Sequence, residues 1–405
     1  MIPLKRIHVD YLWKTQTLRQ LPETVKKKMI DYTMISSDEE LASICNTLKT
    51  KNQIAMDLEA DSMHHFKEKV CLIQIADDAQ NIIIDPLVIT DFSPLKLFCE
   101  DPTITKVFHG ADFDIRTLER DCDVRIHNLF DTEIACRFLG IQRRSLAALL
   151  KKHFDLCLDK RFQKTDWSKR PLSDEMITYS INDVLNLLEL SHILKKKLED
   201  CGRLAWAQEE FQLQTLVKHD NNATDPLFMK FKGAGKMSRR GLAVLEQLLH
   251  VRMNIASQKN LPLFKIMGAE TISRMATIRP VTLVELKQSK ALSPKQMGMY
   301  GDKCLKAILE GLAVPPDGLP LYPRKKAPDV APEIPGRIRA LKEMREEMSK
   351  KTGMEPGFLI NNSMITTIAM ASPGSQQELL EIDGARHWQM DILGQEIVNI
   401  LNICA

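Results

Sequence analysis

No stretch of this 405-residue chain approaches the roughly 20 consecutive apolar residues that cross a bilayer, so a membrane-spanning helix has no candidate segment. Disulfide and zinc frameworks are equally absent. The nine cysteines are odd in number, scattered through apolar runs, and never spaced Cys-x-x-Cys, the pattern of reduced buried thiols in a cytoplasmic protein. A large excess of one charge sign is missing too. The 56 Lys and Arg against 53 Asp and Glu leave a net +3, too little by itself to point to a nucleic-acid partner. Residues 1–28 are basic, through Lys5, Arg6, Lys14, Arg19 and Lys26 to Lys28, but have no apolar signal core and read as a basic extension. What remains is a globular composition, 44% hydrophobic and 27% charged, on a chain long enough for two or three cores.

Strand signals come first. Gln53 to Leu58, Val70 to Ala76 and Asn81 to Asp85 are joined by connections too short for helical crossovers and predict an antiparallel meander. A helix near Phe92 to Glu100, a strand at Thr105 to Phe108 and a helix from about Asp112 to Arg120 come after it. From Thr132 onward helical signals dominate, which predicts a mixed sheet covered by helices. Turn formers break the pattern at His219 to Pro226. Seven prolines between Val314 and Pro335 read as an extended linker that would let the C-terminal segment be placed independently. Either side of that linker the chain repeats itself. Arg252, Leu-Pro-Leu-Phe, a helical stretch ending in Ile-Arg-Pro, and Leu-Val-Glu-Leu are matched by Arg345, Glu-Pro-Gly-Phe-Leu, a helical stretch ending in Ala-Ser-Pro, and Gln-Glu-Leu-Leu, as in two related all-helical modules. The expected boundaries are 29–215, 227–313, a linker at 314–335, and 336–405.

The chemistry is carried by acids. Asp57 and Glu59 end the apolar run Ile54-Ala55-Met56, and in a strand both project to one face, where they would repel without a cation between them. Tyr179 and Asp183 lie four residues apart on an expected helix whose other sides, Ile177, Ile181, Val184 and Leu188, are apolar; buried, the acid and the phenol both need partners. In Phe108-His109-Gly110-Ala111-Asp112-Phe113-Asp114 either aspartate can serve, one as helix N-cap and the other as first-turn acid. Four carboxylates and a tyrosine from three segments are what a two-metal phosphodiesterase needs, and hard oxygen donors select Mg²⁺ or Mn²⁺.

These segments resemble the three ordered motifs of the DEDD exonuclease superfamily, tyrosine subclass. Asp57-Leu58-Glu59 is similar to the first, His109 to Asp114 to the second with Asp114 as its acid, and Tyr179-x-x-x-Asp183 to the third. Phe130-Asp131-Thr132, Gln163 to Trp167 and Arg170-Pro171-Leu172 resemble the ribonuclease D branch, as does glycine at 110, and the repeats resemble HRDC domains. The resemblance covers residues 30 to 405 and implies a ribonuclease H-like α/β exonuclease domain followed by two all-α HRDC-like domains. It also implies a cytoplasmic, metal-dependent 3′-5′ exoribonuclease that releases nucleoside 5′-monophosphates, with tRNA precursors as substrate. Asp57, Glu59 and Asp183 would hold the metal at the attacking water, Asp57 and Asp114 the second, and Tyr179 would orient the nucleophile.

For RNA contact the candidates are Met63, His109 and Phe113 near the terminal nucleotide, and Lys164 and Arg170 before the third motif. Lys236, Arg239 and Arg240, with Lys230 and Lys232, make the first repeat the more basic copy. Asp131 reads as an N-cap and Trp167 as a packing anchor. Other basic clusters, at Lys151-Lys152, Lys160-Arg161, Lys195 to Lys197 and Arg324 to Lys326, read as solvated surface. Two rival functions remain: a DNA exonuclease of proofreading or Werner type, and a non-catalytic nucleic-acid tether.

Overall fold

The computed structural model describes residues 31–219, 225–323 and 331–403. The basic extension and the Arg324 to Lys326 cluster lie outside them. The described chain forms two compact units, one of residues 31–60, 70–219 and 331–403 and one of residues 61–69 and 225–323.

The first unit is built on a six-stranded sheet of order β1-β4-β3-β2-β5-β6. Its strands are β1 (Thr33–Ile35), β2 (Gln53–Ala60), β3 (Val70–Ala76), β4 (Asn81–Ile84), β5 (Thr105–Phe108) and β6 (Leu129–Asp131). The central β2, β3 and β4 form the expected antiparallel meander, and β1, β5 and β6 add in parallel. The two three-residue strands, β1 and β6, are too short to leave a period-two signal and have no counterpart in the sequence reading. In β2 the side chains of Ile54, Met56 and Leu58 enter the main core while Asp57 and Glu59 take the other face. A register shift between Glu59 and Ala60 ends the regular pairing just beyond the second acid.

Helices α1 (Asp38–Leu48), α2 (Ser93–Cys99), α3 (Asp112–Cys122), α4 (Thr132–Phe138), α5 (Leu146–Phe154), α6 (Asp174–Asn182), α7 (Leu187–Asp200) and α8 (Leu204–Gln214) surround the sheet. The second repeat completes this unit with α14 (Ile334–Thr352), α15 (Pro356–Leu359), α16 (Asn362–Ala371), α17 (Gln376–Leu380) and α18 (His387–Ile403). One continuous apolar core runs from Leu41 and Ile73 to Trp388 and Ile397, so independent placement of this repeat beyond a linker is corrected. The joint is specific. Phe138 packs edge-on to both Phe358 and Trp388 at 4.9 Å, and the indole N–H of Trp388 donates to Glu210 at 2.7 Å. Arg144 donates both terminal nitrogens to Glu355 while its Nε serves Glu133, a bidentate, partly buried pairing. At Gly140 a Cβ would stand 2.7 Å from the Gly353 carbonyl oxygen, so only glycine permits the approach.

The second unit holds the first repeat: α9 (Arg239–Lys259), α10 (Leu263–Ile266), α11 (Ala269–Ile278), α12 (Leu283–Gln288) and α13 (Pro294–Ala313), around its own core from Phe228 to Ile308. Gly311 lets α13 meet α9 closely, since a Cβ there would fall 2.5 Å from the Val244 Cα.

Candidate active site

Asp57 and Glu59 come from β2, Asp114 from the first turn of α3, and Tyr179 and Asp183 from α6 and its end. Asp57, Glu59 and Asp183 each offer a carboxylate oxygen, and these lie within 4.8 Å of one another. Asp114 is buried and close enough for its charge to act on both Asp57 and Glu59. Asp112, by contrast, points outward into a salt bridge with Arg116 at 3.0 Å, so burial separates the two aspartates that spacing left open. Neither caps α3: the N-cap is Ala111, with Asp112 the first helical residue.

A buried aspartate sets the turn before Asp114. Asp131, at the end of β6, accepts hydrogen bonds from the backbone N–H groups of Gly110 at 2.9 Å and Ala111 at 2.8 Å, and also caps α4 through Glu133 N–H at 2.8 Å. The N-cap reading of Asp131 therefore captured half its contacts; the other half join β6 to the motif turn. Gly110 itself has φ +77°, a left-handed conformation that explains glycine here without appeal to space.

Tyr179 and Asp183 do not share one continuous helix as expected. α6 ends at Asn182, and Asp183 closes it with an N–H to Ser180 O contact of 3.3 Å before the chain turns into α7. Asn182 and Asp183 are residues whose side chains compete with helical backbone bonds, which favours a helix end there. Asp183 nevertheless keeps αR dihedrals, so the four-residue spacing still brings it beside Tyr179. The Tyr179 ring leans on fully buried Trp167, 5.9 Å between centroids, and meets Phe162 edge-on at 5.7 Å. Trp167 is thus the packing anchor the sequence suggested.

The electrostatics follow from burying acids together. Burial first, then the charges of Asp183, Asp114 and Glu59, hold Asp57 well above the usual carboxylate range, and burial with Asp183 and Asp114 does the same for Glu59. Asp114 is raised to about 7 by burial and by Asp131, and Asp183 to about 7 by burial. Burial, then Asp183, Glu59 and Asp57, push the Tyr179 phenol above its ordinary value, so it keeps its proton at neutral pH and can orient a partner but not act as a base. The donor set fits a hard divalent cation: every group is a carboxylate oxygen, no histidine or cysteine among the described residues joins the cluster, and a bound cation would relieve the repulsion that raises these acids.

The remaining candidates divide. Phe113, beside Asp114, is 44% exposed, and Met63, in the 61–69 segment of the second unit, is 39% exposed, so the ring and the thioether are both open to a ligand. Lys164 and Lys236 are exposed. His109 is turned inward: Nδ1 lies 2.9 Å from Thr132 Oγ1, and burial lowers its pKa against the opposing charge of Asp131. The guanidinium of Arg170 grips both oxygens of Asp85 at 2.6 and 2.7 Å and the Cys71 carbonyl at 2.7 Å. Arg239 donates to the Leu319 carbonyl, and Arg240 to those of Leu312 and Val314, tying the end of α13 to the start of α9. These arginines hold the protein's own backbone in the arrangement described.

The chain is similar to known proteins along most of its length. Residues 32–199 match the 3′-5′ exonuclease family model, and residues 241–308 and 335–401 each match the HRDC domain model. The chain is 29% identical to the ribonuclease D of Desulfotalea psychrophila over 83% of its length and 90% of the relative's, and 28% identical to that of Escherichia coli over 84% and 90%. The crystal structure of Escherichia coli RNase D, described as an exoribonuclease involved in structured RNA processing, superposes with a TM-score of 0.71 at 25% identity, covering 92% of this chain and 99% of that one. With a carboxylate cluster on an exonuclease sheet, two HRDC repeats after it, and similarity to the ribonuclease D of several bacteria along almost its whole length, the chain is a 3′-5′ exoribonuclease.

Proposed function

We propose that this enzyme removes nucleotides one at a time from the 3′ end of RNA with two divalent ions, Mg²⁺ or Mn²⁺, and that tRNA precursors in the cytoplasm are its physiological substrate. The convergence of Asp57, Glu59 and Asp183 within 4.8 Å, with buried Asp114 beside them, carries this reading. Asp57, Glu59 and Asp183 would hold one ion, and Asp57 with Asp114 the other. Bound there, such ions would supply a nucleophilic hydroxide and relieve charge on the leaving oxygen. The protein's own contribution is placement. Tyr179, protonated and braced by Trp167, offers its hydroxyl to the attacking water and takes no proton from it. Exposed Phe113 and Met63 are suited to stack on or pack against terminal bases. The exposed Lys164 and Lys236 are suited to phosphate. The relation to a structured-RNA exoribonuclease supports folded RNA as the substrate class, and the free thiols suit a reducing compartment.

The test uses matched 5′-labelled RNA and DNA oligonucleotides and a tRNA precursor with a 3′ trailer, each with Mg²⁺, Mn²⁺ or chelator. The expected result is stepwise shortening of RNA from its 3′ end, release of nucleoside 5′-monophosphates, and silence in chelator. Preference for DNA, or trimming undiminished by chelator, would overturn the proposal.

A further inference from the structure

The sheet face that carries Asp57 and Glu59 also carries Gln74. Residues directly opposite on antiparallel strands point the same way. Gln74 on β3 stands opposite Asp57 on one side and opposite Ile83 of β4 on the other. Its side chain is entirely buried, yet neither its amide nitrogen nor its amide oxygen has a hydrogen-bond partner among the described residues. The residues around it on this face, Leu72 and Ile83, belong to the apolar cluster closed by Trp167, Ile177 and Ile181. In such surroundings a leucine or methionine would fill the same space without burying two unsatisfied polar atoms. The glutamine therefore costs the fold stability, and its explanation has to come from what it does for its neighbour.

We propose that Gln74 is a positioning residue for Asp57, donating an amide N–H to one carboxylate oxygen so that the other faces the cation. The inference rests on the reading of Asp57 as a metal ligand. Cross-strand Cβ atoms stand about 4.5 to 5.5 Å apart, a gap that two methylenes and an amide span. Closing it requires only rotation about the terminal side-chain torsions, the last of which is broad for glutamine. Carboxylate ligands are commonly oriented in this way by a hydrogen bond from behind the metal site. Gln74 touches neither substrate nor cation in this arrangement; it acts through Asp57.

Gln74→Met, which keeps length and volume but removes both polar atoms, tests this alongside Gln74→Leu and Asp57→Asn. Mn²⁺ binding to the metal-free full-length protein is followed by calorimetry, thermal unfolding is followed in chelator, and turnover is measured on a short single-stranded RNA. The expected result is a tenfold to hundredfold loss of Mn²⁺ affinity, a lower kcat with KM for RNA unchanged, and an unfolding midpoint equal to or above that of the wild type. A purely structural glutamine would give the reverse, a lower midpoint with Mn²⁺ affinity intact, and that result overturns the inference. Failure of both Gln74 variants to fold overturns it as well, because the amide would then be serving the core. If the wild type and Asp57→Asn bind Mn²⁺ alike, the metal-site reading itself fails and takes this inference with it. Loss of binding in Asp57→Asn with wild-type behaviour in Gln74→Met removes Gln74 alone.

Discussion

The two helical repeats share one architecture and have opposite fates. Their helices come in the same order, and the same clamp recurs: Arg252 donates to the Met267 carbonyl just beyond α10, and Arg345 to the Ile360 carbonyl just beyond α15. Aligned on their caps, Thr282 before α12 with Ser375 before α17, and αL Arg279 with αL Ser372, the copies differ at two telling places. Where the second has Phe358 and Trp388, both packed on Phe138, the first has Lys265 and Lys295, both exposed. The proline-containing segments that make the repeat visible in the sequence are one residue out of phase in this alignment, so Phe264 is not the counterpart of Phe358. Two aromatics can be buried against a neighbouring domain at a gain, whereas two ammonium groups can be desolvated only at a loss. The same fold thus becomes part of the catalytic unit's core in one copy and a unit with its own core in the other.

The sharpest division expected is in hydrolysis. Asp57→Asn, Glu59→Gln, Asp114→Asn or Asp183→Asn should each abolish nearly all RNA trimming while circular dichroism stays at wild type, because these acids serve the site and not the packing. Asp112→Asn, which weakens surface contacts with Arg116 and Gln214, should retain most activity; the reverse order for Asp112 and Asp114 would overturn the motif assignment.

Next in size comes the docking difference itself. Trp388→Ala should cost about 3 to 5 kcal/mol of stability, as large aromatic truncations do in cores. The aligned Lys295→Ala in the first repeat should stay within about 0.5 kcal/mol, as exposed substitutions do. Denaturant unfolding of both variants checks this, and equal costs would dissolve the distinction. A truncation after His219 cannot serve the purpose, since it would also strip the shared core.

Tyr179→Phe removes only the phenolic oxygen. Turnover should fall roughly tenfold to thousandfold with RNA affinity held, which single-turnover kinetics resolves. Undiminished turnover would take Tyr179 out of the reaction.

The acid cluster also predicts a pH signature confined to the catalytic unit. Asp183 and Asp114 titrate at about 7 in the folded protein against a reference of 3.8. A carboxyl whose folded pKa is raised binds its proton more tightly when native, so its contribution to stability is complete below about pH 4 and is lost as pH rises to about 7. In chelator the wild type should lose thermal stability across that window relative to Asp183→Asn, and Mg²⁺ should restore more at pH 8 than at pH 5. Parallel curves for the two proteins would contradict the assignment.

The smallest effect tests the first repeat as an RNA surface. Replacing exposed Lys232 and Lys236 by alanine should leave trimming of a short oligonucleotide intact. It should also flatten the salt dependence of precursor binding by about 0.7 to 0.9 log unit per lost phosphate contact. An unchanged slope would make this repeat a spacer.

Much of the catalytic geometry was legible residue by residue. Alternation along β2 placed Asp57 and Glu59 on one face because strand geometry is local. The four-residue spacing of Tyr179 and Asp183 survived even though the helix ends between them, since one further αR residue preserves the direction. The choice between Asp112 and Asp114 was not legible from spacing, because both lie in one helical turn and only packing buries one of them. Nor was the second role of Asp131, whose bonds to Gly110 and Ala111 join residues 21 and 20 positions apart. The hydrogen bonds of Arg170, Arg239 and Arg240 to backbone carbonyls were hidden for the same reason: a basic residue looks alike in sequence whether it meets a phosphate or a backbone carbonyl.

By itself the sequence determined the kind of chemistry, an all-oxygen carboxylate set on a strand and two helices, and the existence of two related helical modules. It did so because side-chain identity and short-range periodicity are properties of neighbouring residues. Tertiary structure alone decided that one module merges with the nuclease, that Gln74 is buried opposite Asp57 with no partner among the described residues, and that the acids are raised far from their usual range. Each of those depends on desolvation and charge contributed by residues distant along the chain, which no local pattern encodes.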